Sequence, residues 1–413
     1  MEAAAAMEQV ARDDYGRVLS HLIRVVGDFQ LAEDALQDAL IRAAERWPTH
    51  GVPRNPAAWL TTTARRRALD RVRRRGTRTD KAPQLRALAE LEQSLAPELD
   101  DDVEIGDERL RLIFTCCHPA LPEGAQVALT LRTLCGLTTT EIARCLLVKE
   151  TTLQQRLVRA KRKIAAAGIP YRVPPPELLP ERMGSVLMVI YLIFTEGYSA
   201  TQGPALVRAD LCAEAIHLAS VLHDLMPEEP EAGGLLGLLL LQDARRDARV
   251  DAAGELVLLP DQDRERWNHE QIAAGARHVR DALRMGQVGP YQIQGAIGAV
   301  HGEARTAEET DWNQIVALYD VLIRLVPTPV VSLNRAVAVA MAEGPAAGLA
   351  LLDDSDLARE LRGYHLFHSA RADLLRRSDK LAEATVAYRR ALALTRNETQ
   401  RAFLRRRLRE LAS

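Results

Sequence analysis

Residues 138–164, TTTEIARCLLVKETTLQQRLVRAKRKI, carry cations, amides and hydroxyls at helical spacing beside a separate aliphatic stripe. Leu153, Leu157, Ala160 and Ile164 form that stripe. Lys149, Thr152, Arg156, Arg159 and Lys163 recur on another face. Just upstream, Ile142, Ala143 and Leu146 supply a second apolar set, followed by a tight turn before Lys149. Two helices joined this way predict a helix-turn-helix. The chemistry on offer is recognition, not bond making. At the start of the second helix, Lys149, Glu150, Thr151, Thr152, Gln154, Gln155 and Arg156 could reach base edges in a major groove. Further along, Arg159, Lys161, Arg162 and Lys163 suit phosphates, which position a protein without reading sequence. The plainer reading is a solvated basic face, but it leaves the turn and the paired helix unexplained.

A second basic helix spans residues 57–75. Arg67, Arg71 and Arg74 share one face, with Arg65, Arg66 and Arg73 beside it. Trp59 stands at its start, next to a Pro-rich loop at 48–56. Such a surface suits the backbone of an opening duplex, with the loop holding an extruded base. Equally, Trp59 could be a core tryptophan and the arginines a generic basic segment.

The net charge of −2 conceals this clustering. Nine cations from Arg65 to Lys81 are followed almost at once by nine acids from Glu90 to Glu108, which implies a division of labour between neighbouring segments. Five cysteines, an odd number without framework spacing, point to a reduced cytoplasm. Cys116-Cys117-His118 reads as buried small residues, because adjacent cysteines chelate one tetrahedral ion poorly. The N-terminal residues lack the basic and apolar regions of a secretory signal. No apolar run approaches the roughly 20 residues needed to cross a bilayer. No HExxH, phosphate-binding glycine loop or nucleophile arrangement is present, so neither an enzyme nor a bound cofactor or metal is expected. His217 with His223, or His365 with His368, could share a helix face without forming a metal site. The polar-aromatic islands 196–198 and 311–313 could line a ligand or peptide groove; hairpin packing and helix capping explain them more cheaply.

The elements that hold these residues are helical throughout, and the expected class is all-α. Val18, Leu19, Leu22, Ile23 and Val26 line a first helix. Leu36, Leu40, Ala43 and Trp47 line a second, with Asp34, Asp38, Arg42 and Glu45 opposite. Leu60, Ala64, Ala68 and Val72 line the third. The expected domains are a helical domain at 10–78, a flexible acidic linker at 79–108, a helix-turn-helix domain at 109–168 and a helical-repeat domain at 177–413. Pro174-Pro175-Pro176 is the best boundary, a stiff spacer. In the last domain, Ala372, Ala384, Tyr388 and Ala391 match the small-small-aromatic-small spacing of a tetratricopeptide repeat. Ala215, Ala219, Leu222 and Pro227 echo it, as do Tyr319, Leu322 and Pro327, while 247–302 fits no repeat well.

Residues 32–47, AEDALQDALIRAAERW, and 55–75, NPAAWLTTTARRRALDRVRRR, resemble region 2 of a group IV, or extracytoplasmic-function, bacterial sigma factor. Residues 124–164 resemble its region 4. FTCCHPAL, YLIFTEGYSAT, GPYQIQGAIGAVH and the helical tail resemble the subgroup with a long C-terminal tetratricopeptide-like extension, so the likeness covers nearly the whole chain. It implies that Asp34, Gln37, Asp38 and Arg42 face the coiled coil of the β′ subunit of core RNA polymerase. It implies that the loop with Arg54 and Asn55, together with Trp59, Arg65, Arg66, Arg67, Arg71 and Arg74, reads and melts the −10 element of promoter DNA. Lys149 to Arg159 would read the −35 element while their module sits on the β-flap. The acidic linker would thread toward the RNA exit path. Regulation would run through the extension, with a protein or peptide partner left open and no membrane contact. The chain departs from many relatives at Arg66, where they carry Asn, and at Leu40, where an aromatic is common. Two alternatives stand beside this reading. A one-component activator with a helical-repeat sensor has no need of the 32–75 block. A helical scaffold would show no salt-sensitive binding to DNA or polymerase.

Overall fold

The structure is a computed structural model that describes residues 15–26, 28–76, 110–134, 137–146, 148–169, 171–200, 202–203 and 205–412. The acidic linker at 79–108 lies outside the described residues, and so do the side chains of 72–76, Arg74 among them. Among the described residues the regular structure is helical apart from one two-stranded parallel pair and one isolated bridge. It divides into two compact units at Val189 and Ile190.

In the first unit, α1 (Tyr15–Val26), α2 (Phe29–His50) and α3 (Pro56–Gly76) pack on one another. Their contact faces are the stripes visible in the sequence: Val18, Leu19, Leu22 and Ile23; Leu36, Ala43 and Trp47; Leu60, Ala64 and Ala68, all buried. Each Leu or Ile taken out of water in this way contributes about 1.5–3 kcal/mol. Asp28 starts α2 by accepting a hydrogen bond from the Leu31 backbone N–H at 3.0 Å. The expected loop at 48–56 is shorter. Pro48 lies inside α2, which runs on to His50 and stops at Gly51, whose φ of +83° suits a residue without Cβ. A proline so near the C-terminus disturbs only the last turn, and Gly51 N still donates to Trp47 O at 3.0 Å.

A helical stretch at 110–116 precedes α4 (Glu123–Thr133), α5 (Thr139–Cys145) and α6 (Glu150–Ala166). The α6 stripe Leu153, Leu157, Ala160 and Ile164 is buried, and α6 rests on both α4 and α5. The triple proline is not where the compact units part. Tyr171 OH donates to Ser20 O at 3.2 Å, and the Arg182 guanidinium donates to Phe114 O. These bonds hold the spacer and the start of α7 (Leu179–Tyr198) within the first unit, so the division falls inside α7.

The second unit is a succession of helices: α8 (Ala209–Leu225), α9 (Pro230–Asp243), α10 (His269–Arg284), α11 (Pro290–Glu303), α12 (Trp312–Leu325), α13 (Pro329–Glu343), α14 (Pro345–Leu352), α15 (Ser355–Glu360), α16 (His365–Arg377), α17 (Leu381–Leu394) and α18 (Glu398–Glu410). Local signals set their starts. Proline occupies the first turn of α9, α11, α13 and α14, while Asn268, Asp311, Asp354 and Asn397 accept cap hydrogen bonds. The repeat residues Ala372, Ala384, Tyr388 and Ala391 all lie in the core of α16 and α17. The stretch 247–302 that matches no repeat is only partly irregular. Three short 3-10 turns and an isolated bridge from Val250 to Leu256 occupy 246–266, and α10 and α11 are ordinary helices packed on α9. A short parallel pair joins β1 (Gln202–Gly203) to β2 (Arg396–Asn397) and fastens the start of this unit to its last helix hairpin.

Two close approaches depend on glycine. At the crossing of α9 and α10, a Cβ on Gly237 would stand 2.7 Å from Gly275 O and 2.6 Å from Val279 Cγ2. Before α11, a Cβ on Gly289 would meet Glu231 Cδ at 2.2 Å. Glu231 needs that space, because its carboxylate accepts from Tyr291 N and Gln292 N, both at 3.0 Å, and so caps α11 from outside the helix. Gly237→Ala is expected to destabilise the extension by about 1–3 kcal/mol through overpacking. A urea unfolding midpoint equal to that of the wild type would contradict the contact.

Candidate nucleic-acid and polymerase interface

Burial of its apolar stripe fixes which side of α6 faces water. Lys149, Glu150, Thr151, Thr152, Gln154, Gln155, Arg159, Arg162 and Lys163 are exposed. Lys149 caps the helix with its backbone alone, so no side chain covers the first-turn N–H groups, which form a weakly positive end. Arg156 is half-buried. Its guanidinium donates to Gly124 O at 3.4 Å, which steadies it against α4. One member of the expected phosphate-facing set points elsewhere. Lys161 turns inward and pairs with Glu33 of α2.

The α3 residues divide in the same manner. Arg54, Asn55 and Arg66 are exposed, while Trp59, Arg65, Arg67 and Arg71 are half-buried. Asn55 Oδ1 accepts from Ala58 N at 3.0 Å and caps α3. Trp59 leans edge-on against the core residue Trp47, with ring centroids 5.6 Å apart, so it is partly a core side chain and partly the wall of the loop. Arg71 binds Asp34 at 3.0 Å and Asp38 at 2.8 Å. An expected DNA contact is thereby joined to two expected polymerase contacts. Gln30 Nε2 donates to Asp34 Oδ1 at 2.8 Å. Each such half-exposed ion pair contributes about 0–1 kcal/mol, so the arrangement orients α3 on α2 more than it stabilises it. Burial lowers the His21 pKa to about 4, and Arg24 and Arg65 lower it further, so this ring is neutral at pH 7.

On α2, Gln37 is half-buried and Arg42 exposed. Ile41 is 59% exposed and lies at helical spacing from Asp34, Gln37 and Asp38. Sequence reading passed over it, although an isoleucine on the polar side of an amphipathic helix was there to be seen.

Glu33 was missed as well. It is 1% exposed and receives Arg132 Nε at 3.4 Å and Lys161 Nζ. Arg132 also donates to Leu137 O at 2.9 Å and lies 5.9 Å from the ring centroid of buried Tyr15. These contacts join α2, with α1 beside it, to α4 and α6. The signal was present: Glu33 continues the Leu36, Leu40, Ala43, Trp47 stripe backwards at the same three-and-four spacing. A carboxylate on an apolar stripe needs a partner.

Among the described residues no group of His, Cys, Asp and Glu could hold a metal ion. Cys116 and Cys117 are buried against Thr133 and Thr130, and burial pushes the Cys117 thiol up to about 12. No helix among the described residues is long and apolar enough to cross a membrane.

Residues 11–78 match the family Sigma-70 region 2, residues 111–164 match Sigma-70, region 4, and residues 182–283 match a family of unknown function, DUF6596. An uncharacterized protein of Rhizobium meliloti, R00370, is 46% identical over 399 residues, 96% of this chain and 94% of that protein. The ECF RNA polymerase sigma factor SigL of Mycobacterium tuberculosis is 29% identical over 164 residues, 39% of this chain and 89% of that protein. No solved structure matches the chain. Regions 2 and 4 on a helical frame, with a long helical part behind them, place the chain among the extracytoplasmic-function sigma factors that carry a C-terminal extension.

Proposed function

We propose that this sigma factor docks on core RNA polymerase through the outer side of α2, with Asp34, Gln37, Asp38, Ile41 and Arg42 in contact with the β′ coiled coil. The loop with Arg54 and Asn55, Trp59 and the arginines of α3 then take the −10 element. The N-terminal end of α6, from Lys149 to Arg159, takes the −35 element, and its module rests on the β-flap. Promoter opening is driven by binding energy. The extension sets how active the assembly is. The observation that carries this reading is the outward basic face of α6 together with the exposed and half-buried arginines of α3, each set backed by a buried apolar stripe, on a chain of the sigma-70 family. Run-off transcription with purified core polymerase on a genomic promoter library tests it. A protein that neither joins core enzyme nor directs initiation would overturn it.

The Glu33 contacts give this reading a condition. Lys161 can serve a phosphate only after it leaves Glu33. We infer that regions 2 and 4 part at this ion pair when the protein engages its spaced promoter elements. Breaking a buried pair by removing one charge is costly, on the order of 3 kcal/mol.

Arg156→Ala should weaken promoter binding by about 1–3 kcal/mol and relax preference at the upstream element, whereas Arg162→Ala should weaken all sequences alike and reduce the salt slope by about one. Equal losses on every sequence for both variants would contradict the division of roles; thermal melting controls for the Arg156 contact with α4. Glu33→Gln should lower the unfolding free energy on the order of 3 kcal/mol and steepen the salt dependence of DNA binding by the free protein, since Lys161 is released. Wild-type values for both would remove the ion pair from the account. Truncation after Arg172 should change promoter-specific transcription, core affinity or both; no change in either would exclude a role for the extension.

A further inference from the structure

The turn between α9 and α10 gathers more positive charge than the protein around it neutralises. Arg245 lies near both Arg249 and Arg264 here, close enough for their charges to repel. None of the ion pairs among the described residues involves any of the three. Nearby Asp243 is taken by Arg246 at 3.3 Å and by Gln271 Nε2 at 3.1 Å. Glu309 is engaged by Arg305, and the exposed Glu308 offsets part of the Arg264 charge without forming an ion pair with it, which leaves Arg245 and Arg249 uncompensated.

Backbone and ring contacts hold two of the arginines in place. Arg264 donates to His301 O at 2.8 Å, Ala304 O at 2.6 Å and Thr310 Oγ1 at 3.2 Å. Arg249 donates to Tyr198 O and lies 3.7 Å over the Tyr198 ring. Arg245 makes one ring contact, 5.9 Å from the Trp267 centroid, and Arg264 stands 4.5 Å from the same centroid. None of these partners is anionic.

Three buried nitrogens in the same corner have no hydrogen-bond partner: Arg245 Nε, Trp267 Nε1 and His301 Nδ1. The first two can only donate. Whatever satisfies them is an acceptor, and buried polar atoms are left unpaired in few native sites. Water would satisfy the N–H groups but not the charge of the arginines. An anion does both. Trp267 is 3% exposed, so the ligand is a compact group and not a polymer. Three neighbouring guanidinium groups favour an oxyanion with several acceptor oxygens and more than one negative charge.

We propose that Arg245, Arg249 and Arg264, with Trp267 and His301, form a binding site for a phosphate-type oxyanion, free or as the phosphate group of a small molecule. Arg245, Arg249, Arg264 and Trp267 all fall within the stretch that matches the family of unknown function. Its test does not depend on how the extension acts on transcription.

The experiment is thermal unfolding and calorimetric titration of the full-length protein with inorganic phosphate and with glycerol 3-phosphate. Potassium chloride and potassium acetate serve as controls at matched ionic strength. Expected is a saturable rise in melting temperature with one or both phosphates and none with the controls. A response to inorganic phosphate alone identifies the free ion; a stronger response to the ester identifies a phosphorylated small molecule. Arg245→Gln and Trp267→Phe should each weaken binding about tenfold or more, the loss of one charge-assisted hydrogen bond. Arg280→Gln, a surface change on α10, should leave binding intact. Trp267→Phe removes the N–H together with the five-membered ring of a core side chain, so its melting without phosphate is the fold control, and Arg245→Lys, which keeps the charge and removes Nε, decides the matter if Arg245→Gln fails to fold. Equal shifts with chloride or acetate, or wild-type phosphate binding in folded Trp267→Phe, would overturn the assignment.

Discussion

A helix can offer one side to a partner only if its other side is held, and apolar burial does the holding here. The α6 stripe of Leu153, Leu157, Ala160 and Ile164 is pressed into α4 and α5. Because the residues repeat every three to four positions, that burial turns Lys149, Thr152, Arg159 and Lys163 outward without any interaction of their own. The same constraint turns Asp34, Asp38 and Ile41 away from the core of α2. Recognition surfaces are therefore by-products of core packing, and a core substitution that rotates a helix would alter them.

Interior charge is handled in two contrasting ways. Glu33 is buried among groups that answer it, Arg132 and Lys161, so the cost of removing it from water is largely offset. The arginines beside Trp267 receive carbonyl oxygens and ring faces but no carboxylate. The first arrangement is complete within the protein and ties regions 2 and 4 together. The second leaves charge and donors over, as a site for an exogenous anion would. Low dielectric makes both consequential, because in water neither would be worth more than a fraction of these energies.

The extension reaches its density with small residues. Gly237 and Gly275 let α9 and α10 touch along their backbones, and Ala372, Ala384 and Ala391 do the same for α16 and α17. With aromatics so scarce, close backbone approach takes the place of large side chains. Its helix starts are set by proline and Asx caps, which explains why a weakly repetitive sequence still yields sharply bounded helices.

Helix order, the buried stripes of α1, α2, α3 and α6, the paired small residues of α16 and α17 and the exposure of most of the α6 cations were all legible along the chain, because each depends on residues within a turn or two of one another. Other features depend on how distant parts of the chain meet. Pro48 stays helical because the core keeps Trp47 in place. The compact unit outlasts the triple proline because Tyr171 reaches Ser20 and Arg182 reaches Phe114. Lys161 faces Glu33 across 128 positions, and Arg71 faces Asp34 across 37. Side-chain type and period dictate which face a helix buries. Which charge that face then meets is decided only when distant helices are brought together, since a Coulomb contact depends on separation in space and not along the chain.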